Sequence, residues 1–255
     1  MGKLEDKVAI ITGGAGGIGK AAARKYLAEG SKVLLVDLDE EALKQAVEEL
    51  ASNQVSYFAA DVTDPAQSQD YVNAAVERYG GVDVYLANAG IEGMVAPIEE
   101  YDLAMFDKVL AVNVRGVWLG IKSVFPELKK RGGGSIVITS SVAGIKGSAG
   151  ISAYNTSKHA VIGMMRSMAM EGAPHNIRVN TVNPSPVETR MMRSLEAGFN
   201  PEDAEAAHQG IASNIPLGRY GEPEDIANLM AFLAADDSAF LTGGVYMADG
   251  GISAN

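Results

Sequence analysis

The chain has 255 residues, 47% hydrophobic and 21% charged, enough apolar material for one large core under a solvated surface. Its 32 acids against 21 bases give a formal net charge of −11, which argues against a nucleic-acid or anionic-membrane surface built from clustered Lys and Arg. There is no cysteine, which excludes disulfides, thiolate nucleophiles and cysteine metal sites.

The N-terminal stretch has an apolar run of only Val8 to Ile11 and does not resemble a signal peptide. No window approaches 18 uninterrupted apolar residues, so no membrane span is expected and the cytoplasm is the default compartment. A first strand is read at 7–12 (KVAIIT), followed by a glycine stretch and a helix at 19–30 that stops on Gly30 as its C′ residue. A second strand follows at 32–37, then an amphipathic helix at 39–50 with Leu43, Val47 and Leu50 on one stripe. Further strands are read at 55–62, 82–90, 134–141, 177–184 and 244–251, with helices at 68–80, 106–131 and 152–172 between them. The least periodic region, about 184–216, suits a loop with short helices. Alternating β and α, with strands apolar throughout, predicts one α/β domain spanning 1–255: a parallel sheet of about seven strands with helices on both faces.

"ITGGAGGIG" can be read as G-x-G-x-x-G (Gly14, Gly16, Gly19) or as T-G-x-x-x-G-x-G (Thr12, Gly13, Gly17, Gly19). Either way it follows the first strand and opens the first helix. Glycines there allow a tight turn and let a phosphate reach the helix N-terminus, with its unpaired N–H groups and positive dipole end. Asp37 ends the second strand, where an acid accepts hydrogen bonds from ribose hydroxyls. It would repel a 2′-phosphate, so NAD is expected over NADP; Leu38 beside it joins the expected cofactor contacts.

The chemistry is written in "SAYNTSKHAV". Tyr154 and Lys158 stand four apart, on one face of a helix. A free tyrosine has a pKa of ~10, so a neighbouring ammonium is expected to stabilise its phenolate and make it a usable acid or base.

With these residues in place the chain resembles the short-chain dehydrogenase/reductases over nearly its whole length. "TGGAGGIG" matches that family's cofactor turn in the second register, making Thr12, Gly13, Gly17, Ile18 and Gly19 the relevant positions. Asp61 and Val62 match its adenine-binding segment, and Asn88, Ala89 and Gly90 the "NAG" that steadies the central sheet beside the cofactor. Asn113, Ser141, Tyr154 and Lys158 fall where the family keeps its catalytic tetrad, and the family spacing of 13 to the tyrosine selects Ser141 over Ser140. The resemblance implies a Rossmann fold with a doubly wound sheet. It also implies hydride transfer between a nicotinamide and a secondary alcohol or ketone. Tyr154 would be the acid/base, Ser141 would hold the substrate oxygen, and Lys158 would depress the Tyr154 pKa and bind the nicotinamide ribose. Asn113 would hold a water linking Lys158 to solvent. The family's P-G-x-V-x-T becomes "PSPVET", with Ser185 in the glycine place; Pro184, Val187 and Thr189 still match and are expected near the nicotinamide carboxamide.

His159, His175 and His208 lack metal spacing, so no metal is expected. Trp118 reads as buried packing, and Met164, Met165, Met168 and Met170 as core or subunit contact. Met191, Met192, Leu195 and Phe199 lie in the loop expected to cover the substrate, and an apolar cover suits a hydrophobic or cyclic alcohol. The family's habit of pairing two long helices predicts a homotetramer, with a dimer as fallback. Val109, Val112, Val117, Leu119, Ile121 and Val124 of the first helix, and Val161, Ile162, Met164, Met165 and Met168 of the second, are the expected surplus apolar surface. Two alternatives remain: a 3-oxoacyl carrier-protein reductase, disfavoured by Asp37 and the acidic charge, and a non-catalytic NAD sensor, disfavoured by the intact tetrad.

Overall fold

The computed structural model describes residues 2–254. Seven strands, β1 (Val8–Thr12), β2 (Lys32–Asp37), β3 (Val55–Ala59), β4 (Val84–Ala87), β5 (Gly134–Thr139), β6 (Ile177–Pro184) and β7 (Val245–Ala248), form one sheet in the order β3-β2-β1-β4-β5-β6-β7. Every pairing is parallel. Alternation along β1 explains the layering. Ala9 and Ile11 join a core with α1 (Gly17–Ala28), α2 (Glu40–Leu50) and α9 (Pro223–Ala234), while Ile10 faces α3 (Pro65–Tyr79), α5 (Val117–Lys130) and α6 (Ser152–Gly172). Ile10 and Ile11 are fully buried, and truncating either to alanine costs about 2–5 kcal/mol. The chain order reverses between β1 and β4, so the crevice outside the carboxyl ends of these strands is where such a sheet binds ligands.

The long helix expected at 106–131 is interrupted. α4 (Leu103–Leu110) gives way to a widened π-helical turn, Ala111–Gly116, before α5. This combined run, Leu103–Lys130, is apolar and long enough to cross a membrane, but half of its most apolar window is buried within this fold. The 184–216 region holds two ten-residue helices, α7 (Arg190–Phe199) and α8 (Ala204–Ser213). The surface of the long helices also differs from expectation. Val109, Val117, Leu119, Ile121, Val124, Val161, Ile162 and Met165 are consumed by this chain's own core. Trp118, read as buried packing, is 44% exposed with the Lys122 ammonium 5.3 Å from its ring centre. Leu103 and Met170 are more exposed still. Of the expected surface residues, Val112, Met164 and Met168 stay partly exposed, while the most exposed apolar side chains of these helices are others.

Candidate active site

The glycine turn is built by contacts that no larger residue permits. Gly13 has φ +65°, and a Cβ there would stand 2.9 Å from the Ala89 Cα and the Asn88 Nδ2. At Gly19 a Cβ would collide with the Gly13 carbonyl oxygen. Gly17 is exposed, and its nearest neighbour is Thr189 from the start of α7. Gly14 is crowded against Leu35 and Gly19 is common to both registers, so it is the left-handed Gly13 that favours the second. Asp39, Asp64 and Asp102 cap α2, α3 and α4, but α1 begins on Gly16 with no side-chain cap. Its first N–H groups face the crevice and fit a phosphate.

Asp37 accepts from the Ala15 N–H at 3.2 Å and from its neighbour Leu38 at 2.8 Å, yet stays partly exposed beside the exposed Leu38 side chain. This acid and apolar surface fit a ribose and an adenine face. The Asp61 Oδ1 accepts from the backbone and hydroxyl of Thr63, both at 2.8 Å, and Val62 is buried against Gly116. The "NAG" segment fastens three strands: Asn88 donates to the carbonyls of Thr12 and Gly13 and accepts from the Thr139 hydroxyl at 3.1 Å. Thr12 Oγ1 in turn accepts from the backbone N–H groups of Asn88 and Ala89.

The four tetrad positions converge at the C-terminal ends of β4 and β5. Lys158 is 5% exposed, donates to the Thr139 carbonyl at 2.8 Å, and places its ammonium 5.4 Å from the Tyr154 ring centre. Gly90 touches both Lys158 and Asn113, and a Cβ there would stand 3.6 Å from the lysine Nζ and 3.3 Å from the asparagine Oδ1. Ser140 and Ser141 diverge. The Ser140 hydroxyl is buried against the Lys158 carbonyl, while Ser141 turns toward the Pro184 carbonyl and lies beside the Tyr154 phenol. Asn113 is 1% exposed, and its carboxamide is committed. It accepts from the Ile91 N–H at 2.8 Å and donates to the Ile91 carbonyl at 2.9 Å and the Ser157 hydroxyl at 3.0 Å. The side chain is a clamp between the 88–97 segment and α6.

One electrostatic expectation is reversed. Burial pushes the Tyr154 phenol up to about 12; the Ser141 hydroxyl lowers it and the negative charge of Glu92 raises it further. Burial brings Lys158 down to about 8. In the chain by itself the ammonium donates to the Thr139 carbonyl, and burial of the phenol sets the direction of its shift. Glu92 was not singled out in the sequence, although an acid two residues past "NAG", followed by Gly93, Met94 and Val95, is the signal that pointed to it.

Pro184, Val187 and Thr189 come to the same crevice in different ways. Val187 is buried in the core and bridges Gly221, whereas Thr189 caps α7 and lies over Gly17. Ser185 adopts no left-handed backbone, so serine replaces the family's glycine there without strain. Leu195 is buried, while Phe199 is 42% exposed beside Gly150. α7 and α8 are tied by Glu196, which is buried and accepts from Arg193 at 2.8 Å and His208 at 3.0 Å. Burial pushes this carboxyl up, but the hydrogen bonds from His208 and Arg193 prevail and hold it low. His208 is therefore structural, and no cluster of metal-ligating side chains occurs among the described residues. A cavity of about 630 Å³ opens between Arg131, Arg178 and Phe240 at the amino ends of β4, β5 and β6, the opposite end of the strands from the tetrad, and contains none of it.

A family model described as enoyl-(acyl carrier protein) reductase matches residues 13–253. Levodione reductase of Leifsonia aquatica is 40% identical over 256 residues, covering 99% of this chain and 96% of the relative. The chain belongs to the short-chain dehydrogenase/reductase family. A 3-oxoacyl-[acyl-carrier-protein] reductase of Thermotoga maritima is also 40% identical, over 98% of this chain and 99% of the relative. Among solved structures, levodione reductase superposes with a TM-score of 0.95 at 40% identity, covering 98% of this chain and 99% of that one. NAD+-bound xylitol dehydrogenase gives 0.91 at 32% identity, covering 96% and 98%. This short-chain dehydrogenase/reductase is thus an oxidoreductase acting on CH–OH groups, of a family that uses NAD or NADP.

Proposed function

We propose that the chain is an NAD-dependent dehydrogenase/ketoreductase for a secondary alcohol that is cyclic or otherwise largely hydrophobic. The observation that carries this is the convergence of Ser141, Tyr154 and Lys158 at the end of the crevice that Asp37 closes at its other side. NAD, when bound, supplies the hydride acceptor or donor at its nicotinamide. The uncapped start of α1, with Thr12, Gly13, Gly17, Ile18 and Gly19, would take its pyrophosphate. Asp37 and Leu38 would hold the adenosine, with the Asp61–Val62 turn beside the adenine. Asn88, Ala89 and Gly90 form the floor, and Pro184, Val187 and Thr189 close the nicotinamide end.

Tyr154 takes the proton of the alcohol, or returns it to the ketone oxygen. The Ser141 hydroxyl donates to that same oxygen and stabilises the negative charge that develops on it. Lys158 would hold the nicotinamide ribose and supply positive charge. Asn113 fixes the segment behind Gly90 and, through its main chain in the widened turn, takes the water that connects Lys158 to solvent. The 184–216 region serves as the substrate cover, with Met191, Met192 and Phe199 as its apolar inner surface.

Two relatives support a cyclic substrate: levodione reductase, and a 3-alpha-(or 20-beta)-hydroxysteroid dehydrogenase of Mycobacterium tuberculosis at 39% identity. The similarity to 3-oxoacyl-[acyl-carrier-protein] reductase favours a second reading, but a net charge of −11 suits an acidic carrier poorly. The enzyme is read as a cytoplasmic homotetramer, its outer contact carried by the exposed Leu103, Trp118 and Met170. The deciding assay is NADH consumption with a panel of cyclic and open-chain ketones, for wild type and Tyr154→Phe. The variant should bind NAD and lose on the order of 10²-fold or more in kcat. Absence of turnover across the panel would favour the sensor reading, and near-normal kcat in Tyr154→Phe would overturn the assigned proton donor.

A further inference from the structure

Glu92 is a buried carboxylate with a side chain 10% exposed, and no N–H or O–H of any described residue donates to it. Its nearest cation is Arg190 at the start of α7, 3.8 Å away and 84% exposed, too long and too solvated to satisfy the carboxylate. Glu196 shows what this protein does with a buried acid that serves structure: two side chains donate to it at 2.8 and 3.0 Å. Glu92 is less deeply placed, its side chain 10% exposed against 2% for Glu196, so its carboxylate keeps an open side on which it can accept a donor from outside the chain.

The backbone beside Glu92 is rigid, because the Asn113 carboxamide grips both the N–H and the carbonyl of Ile91. The carboxylate stands two residues past Gly90, which touches Lys158 and Asn113, and comes within 3.8 Å of Arg190 on the helix that flanks the crevice. It therefore faces the space between the acid/base and α7, where the proposed function places the substrate.

Resting on that functional reading, we infer that Glu92 accepts a hydrogen bond from a second hydroxyl of the substrate, so that the enzyme acts on diols and on the corresponding hydroxy ketones. The hydroxyl held by Glu92 is not the one oxidised; it orients the carbon that faces the nicotinamide. A neutral donor is favoured over an ammonium because Arg190, although too solvated to satisfy the carboxylate, would repel a second cation brought to this mouth. A site built to bind a hydroxyl discriminates strongly against the analogue that lacks it, because the buried acceptor is then left unpaired.

The test is kcat/KM for matched pairs of mono-ols and diols, cyclic and open-chain, with cyclohexanol against the 1,2- and 1,4-cyclohexanediols as the reference set. Each is measured for wild type, Glu92→Gln and Glu92→Leu. The ratio of diol to mono-ol removes the effect of Glu92 on Tyr154, which both substrates share. Wild type should prefer at least one diol by roughly ten- to a hundredfold, mostly through KM. Glu92→Leu should bring that ratio near one, and Glu92→Gln, which keeps an acceptor and the shape, should retain part of it. A ratio unchanged in Glu92→Leu, or a wild type that prefers the mono-ol throughout, would overturn the inference while leaving the functional reading intact. A preference for trans-2-aminocyclohexanol over every diol would overturn the neutral donor. Absence of turnover with all alcohols and ketones would overturn the functional reading, and this inference with it.

Discussion

Asn113→Leu tests whether the tetrad asparagine works as a structural clamp. Leucine has a similar volume and cannot hydrogen-bond. The substitution removes three bonds, at 2.8, 2.9 and 3.0 Å, in a site that is 1% exposed. Ser157 keeps its donation to the Tyr154 carbonyl at 2.7 Å, so its hydroxyl is not stranded. The Ile91 N–H and carbonyl both lose their partner, at about 1–3 kcal/mol for each buried group. The sum is about 2–6 kcal/mol, and at roughly 2–4 °C per kcal/mol for a domain of this size the midpoint should fall on the order of 10 °C. Because the 88–97 segment and the start of α6 are no longer joined, Gly90, Lys158 and Tyr154 lose their mutual placement. Misplacement by about 1 Å costs up to 10²-fold in rate. Calorimetry and steady-state kinetics on the same preparation supply both numbers. A midpoint within about 2 °C of wild type, with normal kcat, would show that the clamp contributes nothing and that only the main chain of Asn113 matters.

Asp37→Ala should narrow the preference for NAD over NADP by removing a charge that repels the 2′-phosphate; comparable kcat/KM with both cofactors in the wild type would refute the assignment. Oxidation requires Tyr154 to lose its proton, and its pKa lies high at about 12, so alcohol oxidation should climb with pH while ketone reduction falls at the alkaline end. Glu92 raises that pKa, so Glu92→Gln should shift the rising limb of oxidation to lower pH; a limb that stays in place, or moves upward, would show that its charge does not reach the phenol. Light scattering at micromolar concentration should give about four times the 26.7 kDa of one chain, and a fully active species of 26.7 kDa would exclude the assembly.

Local periodicity carried much of this protein into view. Apolar β-branched runs alternating with amphipathic helices encode a parallel sheet covered on both faces, because each element must bury its own face. Tyr154 and Lys158 share a helix face that spacing alone predicts, whereas Ser141 was picked out by a family spacing and lies two residues past the end of β5, where it caps the turn Val142–Gly144. Tertiary structure decided what depends on distant segments. Asn113 and Ile91 meet only because the turn at Ala111–Gly116 widens, and Glu92 meets Arg190 only because α7 folds back beside the crevice. Trp118 turned outward because Val117 and Ile121 already fill the space against the sheet, which sequence periodicity in a helix apolar on more than one side does not distinguish. The direction of the Tyr154 shift could not be read from the lysine four residues on. Desolvation and the charge of Glu92 act through space, and their balance exists only once the fold has buried the phenol beside that carboxylate.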